Sequence, residues 1–512
     1  MSRLAAPRPF RAEAIPASAE ATPRLESVDA LDLLTKLVDK SLVVYEEDAA
    51  GLGRYRLLET VRQYARERLD VSDEGTSVRA RHHDFFLAFA EEAEPELRGA
   101  QQAAWLNRVE AEHDNLRAVL EGCHAHAGHT PDAAAARTRL RLSGALWWFW
   151  MIRGYGAEGR AHLENALAAP SAAATEPTSE RARALLGAGG LAYQQGDYAA
   201  ARTFWNQSLA VQRAQGDKRG IAAVLSNLGV VAREQGEYTE ARSFYEESLA
   251  LRREIGDRQG VAGSLNNLAL LLSDQGEADA ARTRYEEALS LMRELGDEYG
   301  LGMALNNLGK LAHEQGQTER ARALVEESLA LRRQTGDKRG LAMSLVSLGS
   351  ISQDLGKPDT ARALNAEALA ISRDLGDRWL IAFSLDGLAS VAVEQGDYAS
   401  AGSLHRESLQ LRREIGDRPG VAYSLHLLAR LHALAGRIAP AVRLWAASQA
   451  LSESLGAGPP LSPSAREEQA LLIDKARAAL GEASFAAAWA EGHALPWEQA
   501  VELAVLEKAS QP

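Results

Sequence analysis

The chain has 512 residues, 46% of them hydrophobic, which suits a folded, water-soluble protein of several ordinary domains. A formal net charge of −13 argues against binding nucleic acid over the whole surface. The single cysteine, Cys123, excludes internal disulfides and cysteine-cluster metal sites. No run of about 18 apolar residues is present to span a membrane, so the chain reads as cytoplasmic.

Met1–Ala21 carries arginines, alanines and the prolines Pro7, Pro9 and Pro16, but not the apolar stretch of a signal peptide. Residues 1–27 are expected to form a disordered leader. Residues 28–95 make the first module. Leu31–Lys40 is predicted helical, with an apolar stripe at Leu31, Leu34, Leu37 and Val38. Ser41–Glu46 and Arg54–Leu58 read as strands around a turn at Ala49–Gly53, and Glu59–Leu69 as a second helix. Helix, hairpin and helix in this span give a winged-helix-like module. Its basic residues, Lys36, Lys40, Arg54, Arg56, Arg62, Arg66 and Arg68, are of the kind that faces phosphates. Asp39, Glu46, Glu47, Asp48, Glu59 and Glu67 interleave with them. Residues 96–140 read as a helical connector. Its histidines His124, His126 and His129, like the pair His82 and His83, lack the partners that would complete a metal site and read as solvated.

From residue 141 to 456 the sequence keeps a fixed period. Gly196, Gly236, Gly276, Gly316, Gly356, Gly396 and Gly436 stand 40 residues apart, as do Gly216 to Gly456 and Ala201 to Ala441. Such a period is the signature of stacked repeats. Within Asp257–Gly296, Asp257 can cap a helix and Val261, Leu265, Leu268, Ala269 and Leu272 form its apolar face. Gly276 ends that helix. Ala281, Tyr285, Ala288, Leu289 and Met292 form the face of a second, which Gly296 ends. Seven such hairpins are expected, at 183–216, 223–256, 263–296, 303–336, 343–376, 383–416 and 423–456. A degenerate eighth precedes them, at Leu146, Trp150, Gly154, Gly159 and Leu167, with Trp147–Trp150 as its packed core. Gly458, Pro459, Pro460 and Pro463 break the period, and residues 457–512 read as capping helices at about 465–480, 482–492 and 496–508.

Asn227–Gly229, Gln235–Tyr238, Glu240–Arg242 and Glu247–Leu249 carry a clear resemblance to the tetratricopeptide repeat. The 40-residue length resembles the long-helix form of kinesin light chains, LGN-type spindle proteins and MalT-type bacterial regulators. The resemblance implies an all-α fold, a right-handed α-solenoid of repeat hairpins with the small N-terminal winged-helix-like module. Leu37–Val43, Arg54–Leu69, Arg81–Leu97 and Glu112–Leu120 resemble the region after the nucleotide-binding core of bacterial STAND (NB-ARC-type) ATPase regulators. The ATPase itself has no counterpart here. Gly309-Lys310 and Gly356-Lys357 lack the loop and hydroxyl of a phosphate-binding motif, so the ATP switch is not carried over. The sequence reads as the sensor half alone, a detached gene product or a truncated reading frame.

No catalytic constellation is legible and no cofactor is implied. His313-Glu314 lacks the second histidine of a zinc protease, and no G-x-S-x-G occurs. The resemblance places the first helix of each hairpin on the concave face, with groove residues at Asn227 and Arg233, at Asn266 and Asn267, and at Asn306, Asn307, Lys310 and His313. Asn227, Asn267 and Asn307 form a ladder. An asparagine amide suits the main chain of an extended peptide, because it both donates and accepts; it equally suits a bond to a neighbouring helix. The ladder stops at Ser347, Gly387 and Leu427, and Met343, Phe383 and Tyr423 make that half more apolar. The expected function is an interaction scaffold or sensor, not an enzyme, holding a protein or peptide in the groove. A separate STAND-type ATPase or regulator is the second partner implied. The alternative is a DNA-binding regulator that uses the winged helix.

Overall fold

A computed structural model describes residues 27–47, 53–97, 101–122, 133–168, 176–455 and 463–506. The expectations for the leader before Ser27, for the turn up to residue 52, for Cys123, His124, His126 and His129, and for the break at 457–462 lie outside the described residues. The chain divides into two compact units, Met1–His82 and His83–Pro512.

In the first unit, α1 (Ser27–Asp39) leads into β1 (Val43–Glu47), which pairs antiparallel with β2 (Gly53–Leu57); α2 (Glu59–Asp70) follows. Ser41 takes a left-handed φ of 56°. Its N–H and that of Leu42 bond back to the carbonyls of Val38 and Leu37, closing α1 as a glycine usually does. Register pairs Val43 with Leu57 and Tyr45 with Tyr55, whose rings lie 5.1 Å apart. The basic side chains are exposed, and Arg56 and Arg62 pair with Glu46 at 3.3 Å and Glu59 at 2.5 Å.

The second unit begins within α3 (Gly75–Glu96) and continues through α4 (Gln102–Ala111), α5 (His113–Gly122), α6 (Ala133–Arg153) and α7 (Gly156–Ala168). The α6–α7 hairpin is held by aromatic packing. Phe149 and Trp150 are fully buried, and Gly159 lies so close to the Trp150 ring that a Cβ there would fall 2.5 Å from it. Seven hairpins then follow. Their first helices are Ser179–Gln194, Lys218–Glu234, Arg258–Asp274, Glu298–Glu314, Lys338–Asp354, Arg378–Glu394 and Arg418–Leu434. Their second helices are Tyr198–Gln215, Tyr238–Glu254, Ala278–Leu295, Thr318–Thr335, Pro358–Leu375, Tyr398–Ile415 and Ile438–Ser454.

The period of the sequence becomes a period of bonds. Asp217, Asp257, Asp297, Asp337 and Asp417 cap the first helices, each accepting from the glycine N–H three residues on at 2.9–3.0 Å. Ser208, Ser248, Ser328, Ser408 and Ser448 each donate to a carbonyl 26 residues back, tying second helix to first. Arg252 and Arg412 reach the carbonyls of Gly260 and Gly420, tying one hairpin to the next at 2.6 and 2.8 Å. Small residues let helices meet: a Cβ on Gly229 would fall 2.5 Å from the Tyr245 ring. These devices build a right-handed α-solenoid, which turns far enough to meet its own start. Pro358–Leu375 touches α4, Arg378–Glu394 touches α6, and Gly416 lies against Gln195. Pro463–Leu480 and Glu482–Ala494 pack on the last hairpin, and Trp497–Leu506 on the last two.

Candidate binding groove

The first helices of the hairpins line the inner wall, and its two halves differ. In the first half, the paired asparagines have separate roles. One residue further along a helix is a turn of about 100°, so neighbours in sequence face different ways. Asn266 and Asn306 are buried at 2% exposure and bridge adjacent helices: Asn266 accepts from Asn307 Nδ2 at 3.2 Å, and Asn306 from Ser344 Oγ at 3.1 Å. Asn227 and Asn267 are half-buried and bond to no other side chain or backbone group among the described residues. Asn307 spends one donor on Asn266 and keeps the rest of its amide.

Below this ladder runs an acidic rail, of which the repeat resemblance places Glu234 and Asp274 in the groove. Glu234, Asp274, Glu314 and Asp354 are the last residues of four successive first helices. A carboxylate at a helix C-terminus opposes the helix dipole, so the rail adds nothing to helix stability. Arg233 pairs with Glu234 and, at 3.3 Å, with Asp274. Burial disfavours its charge, but the two carboxylates hold its guanidinium above the ordinary arginine value. Burial raises the Asp274 carboxyl, Arg233 opposing and Glu234 adding. Burial, with Asp274 beside it, raises Glu314 as well.

His313 closes this half, bonded through Nε2 to Asp354 Oδ2 at 2.6 Å. Lys310 opens the other. It lines the hollow of that half, and its ammonium bonds to no protein group among the described residues. The surrounding walls push it below the ordinary lysine value, and Arg332 pushes the same way.

The second half holds a cavity of about 390 Å³ lined by Lys310, His313, Phe383, Asp386, Tyr423 and Arg430, among others. Its floor comes from two second-helix residues, Asn365 and His405. They occupy a position held elsewhere by Trp205, Tyr245, Tyr285, Val325 and Trp445. Asp386 is buried and fully engaged: it accepts from Ser408 at 3.0 Å and Arg412 at 2.7 Å, and meets His405 Nδ1 at 2.9 Å. An adjoining hollow reaches Pro463–Leu480, where Glu468 accepts from Arg430 at 2.9 Å. The signal for this half was in the sequence, as Asn365 and His405 at a position that is aromatic or aliphatic in every other one of the seven hairpins.

Comparison with known proteins agrees with this architecture. The tetratricopeptide-repeat family model matches residues 180–254, 260–334, 303–374 and 380–453, just over half of the chain, and a winged helix-turn-helix domain model matches 14–70. The chain belongs to the tetratricopeptide-repeat family and carries an N-terminal winged helix domain. Curated HTH-type transcriptional regulators of Mycobacterium bovis and Mycobacterium tuberculosis are 41% identical over 143 residues, 28% of this chain. That match spans 14% of the length of these relatives. Among solved structures, a Rap protein complexed with the competence and sporulation factor is 14% identical, with a TM-score of 0.43 over 69% of this chain and 99% of its own. The apo quorum sensor NprR of B. thuringiensis is 15% identical, with a TM-score of 0.43 over 74% and 99%. A STAND protein with a tetratricopeptide repeat sensor from Pyrococcus horikoshii is 14% identical, with a TM-score of 0.40 over 79% and 55%. Among the described residues no helix is long and apolar enough to cross a membrane.

Proposed function

We propose that the chain is a cytoplasmic sensor module of bacterial signalling or transcription regulation, a scaffold that binds an extended peptide or a peptide segment of a partner protein along its inner wall. The carrying observation is the pair of half-buried amides, Asn227 and Asn267, placed 40 residues apart on successive helices and bonded to no protein group among the described residues. An extended main chain repeats its N–H and C=O, and a row of amides can meet both. Asn307, Arg233, Lys310 and His313 extend the row, and the acidic rail favours a cationic side chain on the peptide. Asn266 and Asn306 hold the wall behind it. A separate STAND-type ATPase or regulator is the proteinaceous partner we propose to read the bound state.

Replacing Asn227, Asn267 and Asn307 together by Ala tests the reading. Each lost bond should cost about 1 kcal/mol, so affinity for a peptide selected from a random library should fall roughly a hundredfold. The far-UV helix signal should stay unchanged. Unchanged affinity sinks the ladder as a grip. A second reading, duplex DNA on the winged helix, is favoured by the domain match at 14–70. It requires affinity that falls steeply with salt. The pairing of Arg56 and Arg62 with carboxylates weighs against it.

A further inference from the structure

The floor of the second-half cavity contains an amide with unmet bonding needs. Asn365 is 1% exposed, and neither its Oδ1 nor its Nδ2 has a hydrogen-bond partner. Buried polar atoms without partners are rare in folded proteins, and each calls for a physical account. Whichever way the amide is turned, both a donor and an acceptor are left over, so the mismatch does not depend on which atom is oxygen.

The surroundings show why no protein group reaches it. Asn365 lies between two glycines of successive first helices: a Cβ on Gly349 would fall 2.8 Å from Nδ2, and one on Gly387 would fall 2.4 Å from Oδ1. Gly387 holds the rung where Asn227, Asn267 and Asn307 stand in earlier repeats. Gly387 has no side chain to offer the amide a partner, and both residues line the cavity of about 390 Å³. Packing alone does not explain the residue. The preceding repeat places Val325 at the same position against Gly309, and that side chain needs no partner.

We propose that this cavity is a side-chain pocket for the primary amide of an Asn or Gln residue carried by the bound peptide. The inference rests on the peptide-groove reading and names a specificity determinant within it. A primary amide presents one donor and one acceptor side by side and so meets both atoms of Asn365 at once. A ligand ammonium can only donate, which leaves Nδ2 unmet, and it enters a space bordered by Lys310 and Arg430. A carboxylate can only accept, which leaves Oδ1 facing a second acceptor, with the Asp386 carboxylate close by. The Phe383 ring, stacked on Trp379 at 5.4 Å and 13°, supplies a flat wall for a planar amide. Asp386 has its oxygens committed to His405, Ser408 and Arg412, so it keeps the pocket in shape and does not compete for the ligand.

The test is selection from displayed random heptapeptides on the full chain and on its Asn365→Val variant, which imports the native pairing of the preceding repeat and should fold. The full chain should enrich peptides with Gln or Asn at one fixed position. The variant should melt no lower than the full chain and still recover peptides. Its enrichment at that position should fall by about thirtyfold, the equivalent of two hydrogen bonds. Amide enrichment that survives in Asn365→Val, or a different residue class at that position in the full chain, overturns the pocket and leaves the groove reading standing. Recovery of no peptide by either protein overturns the groove reading and the pocket with it.

Discussion

In the second repeat the Tyr245 ring lies against Gly229 and fills the gap between the two helices of its hairpin. In the fifth and sixth repeats the same position carries Asn365 and His405, and a cavity opens. The outer framework does not change between these halves. The capping aspartates, the serine-to-carbonyl bonds and the small residues recur in both. Two sets of residues therefore have separate duties. One set fixes where the helices run, and because it is satisfied locally in each hairpin, the inner wall is free to vary. The first half spends that freedom on half-buried amides and helix-terminal carboxylates, the second on a buried ion network under an aromatic pocket.

The largest expected effect separates the halves by their buried charge. Asp386 is 7% exposed and neutralises Arg412, itself 4% exposed. Asp386→Ala leaves that guanidinium buried without its carboxylate, which should cost about 3–5 kcal/mol. Hydrogen exchange should accelerate in the last two repeats and stay as before in the second and third. Uniform acceleration would mean that the two halves unfold as one.

Acid should separate them next. His426 and His432, both in the last repeat, are held neutral by burial, with pKa values pushed down to about 4. A histidine with a depressed folded pKa lends stability above its unfolded value near 6.5, lost as pH falls toward 4. Each contributes up to roughly 3 kcal/mol by this route. Asp417, whose carboxyl burial raises, works in the opposite sense and trims the total. In the α6–α7 hairpin, burial works to raise Glu158, but bonds from Arg117 and His113 hold it at about 2, and in the first helix of the first repeat Arg137 holds Glu180 at about 2. Those carboxylates lend stability that is lost only below about pH 4.5. A pH series of exchange measurements should show the last repeat loosening first. Loosening of the α6–α7 hairpin and the first repeat at pH 5 would contradict these assignments.

A packing probe in the regular half comes third. Ala281 is fully buried on the small-residue comb. Ala281→Leu should overpack the contact at a cost of about 1–3 kcal/mol, felt mainly in the third hairpin and its neighbours. Destabilisation centred on the last repeats would show that strain travels the length of the array.

Much of this fold was legible because a solenoid is local. A capping aspartate and the glycine three residues on act within one turn, and a 40-residue comb makes the same statement seven times. The site was less legible for the same reason in reverse. Asn306 and Asn307 read as equivalent groove residues, and only the rotation of the helix separates the buried Asn306 from its half-buried neighbour. The floor of the cavity needed Asn365, Gly349 and Gly387 from three helices at once, a juxtaposition that no single repeat displays. The meeting of Gly416 with Gln195 depends on small rotations summed over five hairpins, which no residue pattern encodes.

The smallest effect should come from the outer surface, where both halves carry the same ornament. Arg293 pairs with Glu327 at 3.0 Å and Arg373 with Glu407 at 3.5 Å, each bond spanning 34 residues between successive second helices. The first pair is about half exposed on both sides, at 54% and 46%. Water screens such a pair, and holding two long side chains in one geometry costs entropy, so it should be worth roughly 0.2–1 kcal/mol. Arg293→Ala should therefore shift the urea midpoint only slightly, and raised salt should erase the difference. Arg373→Ala in the other half should behave the same way. A loss above 2 kcal/mol in either would mean that the outer ladder, and not the satisfied interior of each hairpin, sets the path of the solenoid. The inner wall could then no longer vary independently of the framework, and the contrast between the halves would need a different cause.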